Sequence, residues 1–156
     1  MQNRQRMKSH KQPTTYSAFD TAIYYLTFRD RSRKELCDKL TEKGYAEAEI
    51  TETIEKLMSY GYINDERYAT SYIRSQMRGK GRRRITMELS GKGVDSEMTR
   101  ELCTELVPDE AETIYDLLER RYGNLNFTDE GQMRRMYSFF ARRGFRYEDI
   151  RRAVSE

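Results

Sequence analysis

Arginine is the residue whose placement carries most chemical meaning in this chain. Between Arg74 and Lys92 stand seven cations (Arg74, Arg78, Lys80, Arg82, Arg83, Arg84, Lys92) against one acid, Glu88. Seven more (Arg134, Arg135, Arg142, Arg143, Arg146, Arg151, Arg152) lie between Arg134 and Arg152, accompanied by Glu148 and Asp149. A guanidinium offers a planar fork of N–H donors that pairs bidentately with phosphate or carboxylate, so these runs point to an anionic partner, nucleic-acid phosphate first. From Asp95 to Glu119, by contrast, nine acids accompany Arg100 alone. The net charge of +3 thus hides opposed patches. Arg82, Arg83 and Arg84 are expected to open a helix, where unpaired N–H groups and the helix dipole already make the potential positive. An anion there would relieve the repulsion, and a phosphate held by the arginines and the helix end together is the expected one.

Catalytic chemistry has little to stand on. The one histidine, His10, falls in a polar, basic opening segment of residues 1–14 that reads as a flexible tail. Gly79-Lys80-Gly81 and Gly91-Lys92-Gly93 lack the spacing of a phosphate-wrapping loop and read as helix ends. Cys37 and Cys103 lie far apart in helix-like stretches, outside any ligand spacing, and are expected to be buried thiols. No cofactor, no metal and no enzymatic activity are expected. With no signal peptide and no long apolar run, the sequence predicts a cytoplasmic protein without membrane contact.

The elements that must carry these charges are legible in the glycines. Leu40 with Gly44-Tyr45, Leu57 with Gly61-Tyr62, Leu89 with Gly93-Val94 and Phe140 with Gly144-Phe145 share one pattern. A glycine takes the left-handed position past a helix end, and the next side chain folds back on the apolar residue five before it. Three of these stops, at Gly44, Gly93 and Gly144, recur at a period of about fifty residues, each preceded by two apolar side chains four apart: Leu36-Leu40, Ile85-Leu89, Met136-Phe140. A second amphipathic helix follows each glycine, marked by Ile50 and Ile54, by Met98, Leu102 and Leu106, and by Ile150 and Val154. The middle copy has one residue fewer between glycine and anchor, so its turn is expected to be tighter. One more helix precedes each pair, carrying Tyr16, Phe19, Ile23 and Leu26, then Tyr68, Tyr72, Ile73 and Met77, then Ile114, Leu117 and Leu118. Start signals agree: Ser32 with Glu35 in a capping-box pattern, Asn64 before Asp65 and Glu66, Thr128 before Asp129 and Glu130.

The reading is an all-α protein of three tandem three-helix repeats forming an elongated, curved array, residues 15–62, 63–107 and 108–156. That architecture suits a chain only 37% hydrophobic, since each unit buries a face against its neighbour. Of the twelve tyrosines, Tyr45, Tyr62, Tyr68 and Tyr72 are expected to be buried as staple or core residues; Tyr16, Tyr24 and Tyr25 stay open to base stacking.

The run Gly61-Tyr62-Ile63-Asn64-Asp65-Glu66-Arg67-Tyr68-Ala69, then Lys80-Gly81, Ile85, Leu89 and Gly93-Val94, resembles the RecX family of regulators of RecA recombinase. The resemblance extends upstream to Asp30-Arg31-Ser32 and downstream to Phe140-Ala141-Arg142-Arg143-Gly144-Phe145, covering about Tyr16 to Val154. Asn64 and Tyr68 stand where the family commonly has aspartate and phenylalanine, and Arg82 stands where it often has a proline after the glycine. The resemblance implies three three-helix repeats and a monomer that binds the RecA filament and DNA, single-stranded and also double-stranded. It further implies inhibition of RecA ATPase, strand exchange and coprotease activity, and so control of recombinational repair and the SOS response. Residues expected to touch DNA or recombinase are Arg74, Arg78, Lys80, Arg82, Arg83, Arg84, Arg142 and Arg143. Gly44, Gly61, Tyr62, Asp65, Tyr68, Gly81, Ile85, Leu89, Gly93 and Gly144 are expected to be structural. A helix-turn-helix repressor is the alternative reading, weakened by Glu97, Glu101 and Glu105 on the helix that would read bases.

Overall fold

A computed structural model describes residues 15–107, 109–123 and 129–155 of the chain. Among them are nine α-helices and no strand: α1 Ala18–Phe28, α2 Arg33–Lys43, α3 Glu47–Ser59, α4 Asp65–Gln76, α5 Arg82–Gly91, α6 Ser96–Leu106, α7 Glu110–Tyr122, α8 Glu130–Arg142 and α9 Tyr147–Ser155. They form two compact units, one ending at Asn64 and the other beginning at Asp65.

The first unit holds α1, α2 and α3. Ser17 caps α1 by accepting from the Asp20 amide, and Ser32 with Glu35 forms the full capping box at α2. Gly44 ends α2 at φ 94°, and the Tyr45 amide donates to the Leu40 carbonyl at 3.3 Å, closing the expected stop. Leu36, Leu40, Ile50, Ile54 and Leu57 meet α1 through Ala18 and Ala22, whose small side chains let the helices approach. Two expectations fail at the edges of this core. Tyr62 is 52% exposed, because Ile63, only 4% exposed, takes the inward place beside Leu57. Tyr16 precedes α1 and is 70% exposed; the Tyr45 hydroxyl, which donates to its carbonyl at 2.7 Å, is the aromatic that ties this corner.

The second unit holds α4 to α9 around two cores. Tyr68, Ala69, Ile73, Ile85, Leu89 and Val94 belong to the first of these; Ile114, Leu118, Met136, Phe140, Phe145 and Ile150 to the second. The glycine stops repeat, with Val94 N donating to Leu89 O at 3.0 Å and Phe145 N to Phe140 O at 3.2 Å. The turn before α6 is not tighter than the others. α6 begins at Ser96, three residues after Gly93, just as α3 and α9 begin three after Gly44 and Gly144. The inward residue is Thr99, fully buried, its hydroxyl donating to the Asp95 carbonyl at 2.7 Å. The buried face of α6 is therefore Thr99, Cys103 and Val107, one residue out of phase with Met98, Leu102 and Leu106, which are only half-buried. Neither cysteine is in a disulfide; Cys103 is buried and Cys37 half-buried. Asp129 caps α8 by accepting from the Gln132 amide; Thr128 and the tail of residues 1–14 lie outside the described residues.

The second and third three-helix groups interlock by backbone. Gly81 N donates to the Arg143 carbonyl at 2.8 Å, and Gly81 and Gly144 meet so closely that neither position has room for a Cβ.

Candidate nucleic-acid interface

α5 starts at Arg82 behind Gly81, which offers no side-chain cap. The acceptor it needs comes from the first residue of α7. A Glu110 carboxylate oxygen accepts from the Arg82 amide at 2.6 Å, and the Arg82 guanidinium donates to the Val107 carbonyl. The anion that the helix end calls for is therefore part of the chain, not a bound phosphate. Glu110 is 5% exposed; burial raises its pKa, against the pull of the Arg82 amide, the Arg82 guanidinium and Arg146. A carboxyl raised in the folded state favours folding most below its ordinary value and loses that contribution as pH rises through the raised one. Glu110→Gln is expected to keep the acceptor and flatten that decline. Glu110→Ala leaves the Arg82 N–H buried and is expected to cost about 1–3 kcal/mol, read by urea denaturation.

Lys80 and Arg84 are also engaged. Both donate to Glu88, Lys80 at 2.8 Å and Arg84 at 2.8 Å, and the Tyr72 hydroxyl donates to the same carboxylate at 2.6 Å. Burial works against the charge of Glu88, yet the bonds from Arg84, Lys80 and Tyr72 outweigh it and hold the pKa at about 2. A depressed carboxyl stabilises above its ordinary value, so this contribution is present above pH 4.5 and is lost as pH falls towards about 2. Glu88→Gln is expected to reduce acid sensitivity in that window, measured as the denaturation midpoint against pH. Arg143 donates to the Gly79 carbonyl at 2.9 Å and lies 4.5 Å over the Phe139 ring, which Arg121 approaches at 4.4 Å.

Of the eight expected contact residues, Lys80, Arg82, Arg84 and Arg143 are thus held by bonds inside the second unit. Arg74, Arg78, Arg83 and Arg142 are exposed, and their side chains make no hydrogen bond or ion pair with another described residue. Arg83 and Arg78 line different grooves. Arg83 lines a groove of about 490 Å³ between α5 and α6, together with Arg82, Arg100 and Arg146. Arg78 lines a separate one of about 350 Å³ with Thr113, Asp116 and Arg120. Arg100 and Arg146 were absent from the expected set. Arg100 was masked by the acids around it, although Ser96, Arg100 and Thr104 follow one another at helical spacing beside the inward Cys103.

The acidic segment also divides by task. Asp95 accepts from the Met98 amide and Asp109 from the Ala111 amide, capping α6 and α7, and Glu110 is buried. Glu97, Glu101, Glu105, Glu112, Asp116 and Glu119 are exposed. The acids along α6 are therefore outward carboxylates on the same helix that turns Arg100 towards the groove.

Tandem three-helix groups, each around its own core and presenting segregated charge, define a helical-repeat protein. Family models of RecX match in order: the first three-helix domain at residues 18–57, the second at 64–101, the third at 108–154. The chain belongs to the RecX family. It is 34% identical over 145 residues to a regulatory protein RecX of Vibrio vulnificus, covering 92% of this chain and 95% of that one. A relative of the same description from Chromohalobacter salexigens is 33% identical, with 87% and 90% covered. Against a longer one from Clostridium perfringens, 34% identical, the match spans 76% of this chain but 58% of the relative. A crystal structure of RecX from Lactobacillus salivarius superimposes with a TM-score of 0.77 at 29% identity, covering 88% of this chain and 92% of that one. No helix among the described residues is long and apolar enough to cross a membrane.

Proposed function

We propose that this chain regulates a RecA recombinase by binding its filament on DNA, as a monomer and without catalysis of its own. Its effect is to inhibit the recombinase ATPase, strand exchange and coprotease activity, and so to restrain recombinational repair. Membership of a family of regulatory proteins supports this reading. The observation that carries it is charge sorted by face: Arg83, Arg100 and Arg146 line one groove that has no Asp or Glu among its lining residues, while Glu97, Glu101 and Glu105 stand exposed on the same α6. A recombinase filament presents both a phosphate backbone and a protein surface, and such a pair of faces can engage both.

The test is recombinase ATPase on single-stranded DNA as this protein is titrated in. A fall in rate is expected; no fall at any ratio would sink the reading. Inhibition well below one molecule per recombinase indicates blocked filament ends, and near-stoichiometric inhibition indicates a coated filament. A base-reading repressor is disfavoured by the three exposed glutamates of α6, which repel the phosphates a recognition helix must approach.

A further inference from the structure

We infer that Glu110 is a proton-sensitive latch between the second and third three-helix groups, held most firmly when its carboxyl is protonated and released more readily once it ionises. The inference does not depend on the recombinase reading. Glu110 is the one buried carboxylate among the described residues, 5% exposed. It stands first in α7, within the third family domain, and accepts the Arg82 amide at 2.6 Å at the start of α5, within the second. Two further bonds cross the same seam, from Gly81 N to the Arg143 carbonyl at 2.8 Å and from the Arg143 guanidinium to the Gly79 carbonyl at 2.9 Å. Their acceptors are backbone carbonyls, which keep their charge at any ordinary pH. Glu110 differs in kind, because a proton changes what it brings to the seam.

The groups that face it come from every element around the seam. Arg82 of α5 and Arg146 ahead of α9 pull towards the ionised form, and Asp149 in the first turn of α9, a like charge, pushes against it. Cys103 of α6 also faces it, as a thiol that burial pushes up and keeps neutral. Asp109, next in the chain, shares Arg152 with Asp149, at 2.7 Å and 3.4 Å, so that guanidinium is committed to those two carboxylates. Burial outweighs the attraction of Arg82 and Arg146, and the Glu110 carboxyl is raised while the seam is closed.

Opening the seam returns that carboxyl to water and to its ordinary value of 4.5. The closed form therefore binds the proton more tightly than the open one. What the proton contributes to closure is complete below 4.5 and is lost as pH rises through the raised value, so rising pH favours opening. Glu88 moves the other way, to about 2, and joins α4 to α5 inside the second group, so the two carboxyls act at different pH and in different places. Release of the latch also reaches the surface. Arg83 stands on α5 and Arg146 ahead of α9, and the groove they line together is taken apart when the third group leaves the second.

The experiment is amide hydrogen exchange of the full chain, read by NMR and corrected for the intrinsic effect of pH on exchange, with the Glu110 carboxyl carbon signal titrated alongside. The opening constant at the Arg82 amide and along α7 and α9 is expected to rise about tenfold for each pH unit between 4.5 and the Glu110 midpoint, then level off. α2 and α3 in the first unit are expected to show no such rise. Glu110→Gln keeps an acceptor for the Arg82 amide but cannot ionise, and is expected to give a flat profile. Asp149→Asn removes the like charge, and is expected to lower the Glu110 midpoint and shorten the rise by the same interval. A Glu110 midpoint at or below 4.5 overturns the inference, as does an unchanged rise in Glu110→Gln. A rise shared by α2 and α3 overturns it too, because the proton would then act on the whole chain and not on the seam. Circular dichroism checks that Glu110→Gln is folded. If it is not, Asp149→Asn decides alone: midpoint and rise must move together, and a rise that stays while the midpoint falls overturns the latch.

Discussion

Alanine at Gly81 is expected to cost the second unit about 3–5 kcal/mol, far more than glycine-to-alanine changes usually do. The Cβ it adds would stand 2.4 Å from the Gly144 carbonyl oxygen, 2.5 Å from its carbon and 2.6 Å from the Phe145 nitrogen. All three are backbone atoms, so no side-chain rotation relieves the overlap; the α8–α9 turn has to move away from α5. That movement stretches the Gly81-to-Arg143 hydrogen bond and disturbs the neighbouring bond from Arg143 to the Gly79 carbonyl. Gly144→Ala is expected to be at least as costly. Its φ of 87° is strained for any residue with a side chain, and its Cβ would meet Arg84 backbone at 2.4 Å. Gly91→Ala, on the same α5, has nothing within 4 Å and is expected to be neutral or stabilising by up to about 1 kcal/mol. Guanidinium denaturation of the three variants gives the comparison. Equal midpoints for Gly81→Ala and Gly91→Ala would mean that the two helical groups do not in fact meet at Gly81.

The close approach at Gly81 also marks where sequence stops informing. Helix ends were legible because their causes are local: Gly44, Gly61, Gly93 and Gly144 all have positive φ, and each hydrogen bond that follows spans five residues. Thr99 was missed because apolarity pointed to Met98, whereas the turn geometry, three residues from glycine to helix, points to Thr99 in all three repeats alike. Tyr62 and Ile63 present the same difficulty in reverse, two large side chains side by side of which only one can turn inward. The arginines were hardest. Identical residues in one run have opposite fates, and their partners are remote: Glu110 lies 28 residues from Arg82, and Gly79 lies 64 from Arg143. Charge density along a chain announces an anionic partner without telling whether that partner is the chain itself. Only the fold separates Arg82, answered from within, from Arg83 beside it.

That dependence of surface on core makes Phe140→Ala the most informative core substitution. Phe140 is fully buried, edge-on to Phe139 at 5.1 Å and to Phe145 at 5.7 Å, and its carbonyl accepts the amides of both Arg143 and Phe145. Truncation removes a ring from a packed site and leaves a cavity, a change that costs about 3–5 kcal/mol. The consequence is expected to travel beyond its own core. α8 and α9 hold Arg143 against Gly79 and Gly81, and α7 holds Glu110 against Arg82, so loosening the third domain frees the start of α5 in the second. Hydrogen exchange is then expected to speed up at Arg82, Arg84 and Ile85 amides as well as along α8 and α9, while α2 and α3 in the first unit keep their protection. Loss confined to α7–α9 would show that the two groups open independently. In that case the groove would lose Arg146 without losing Arg83, and strand affinity would fall in a step at the melting of the third domain alone.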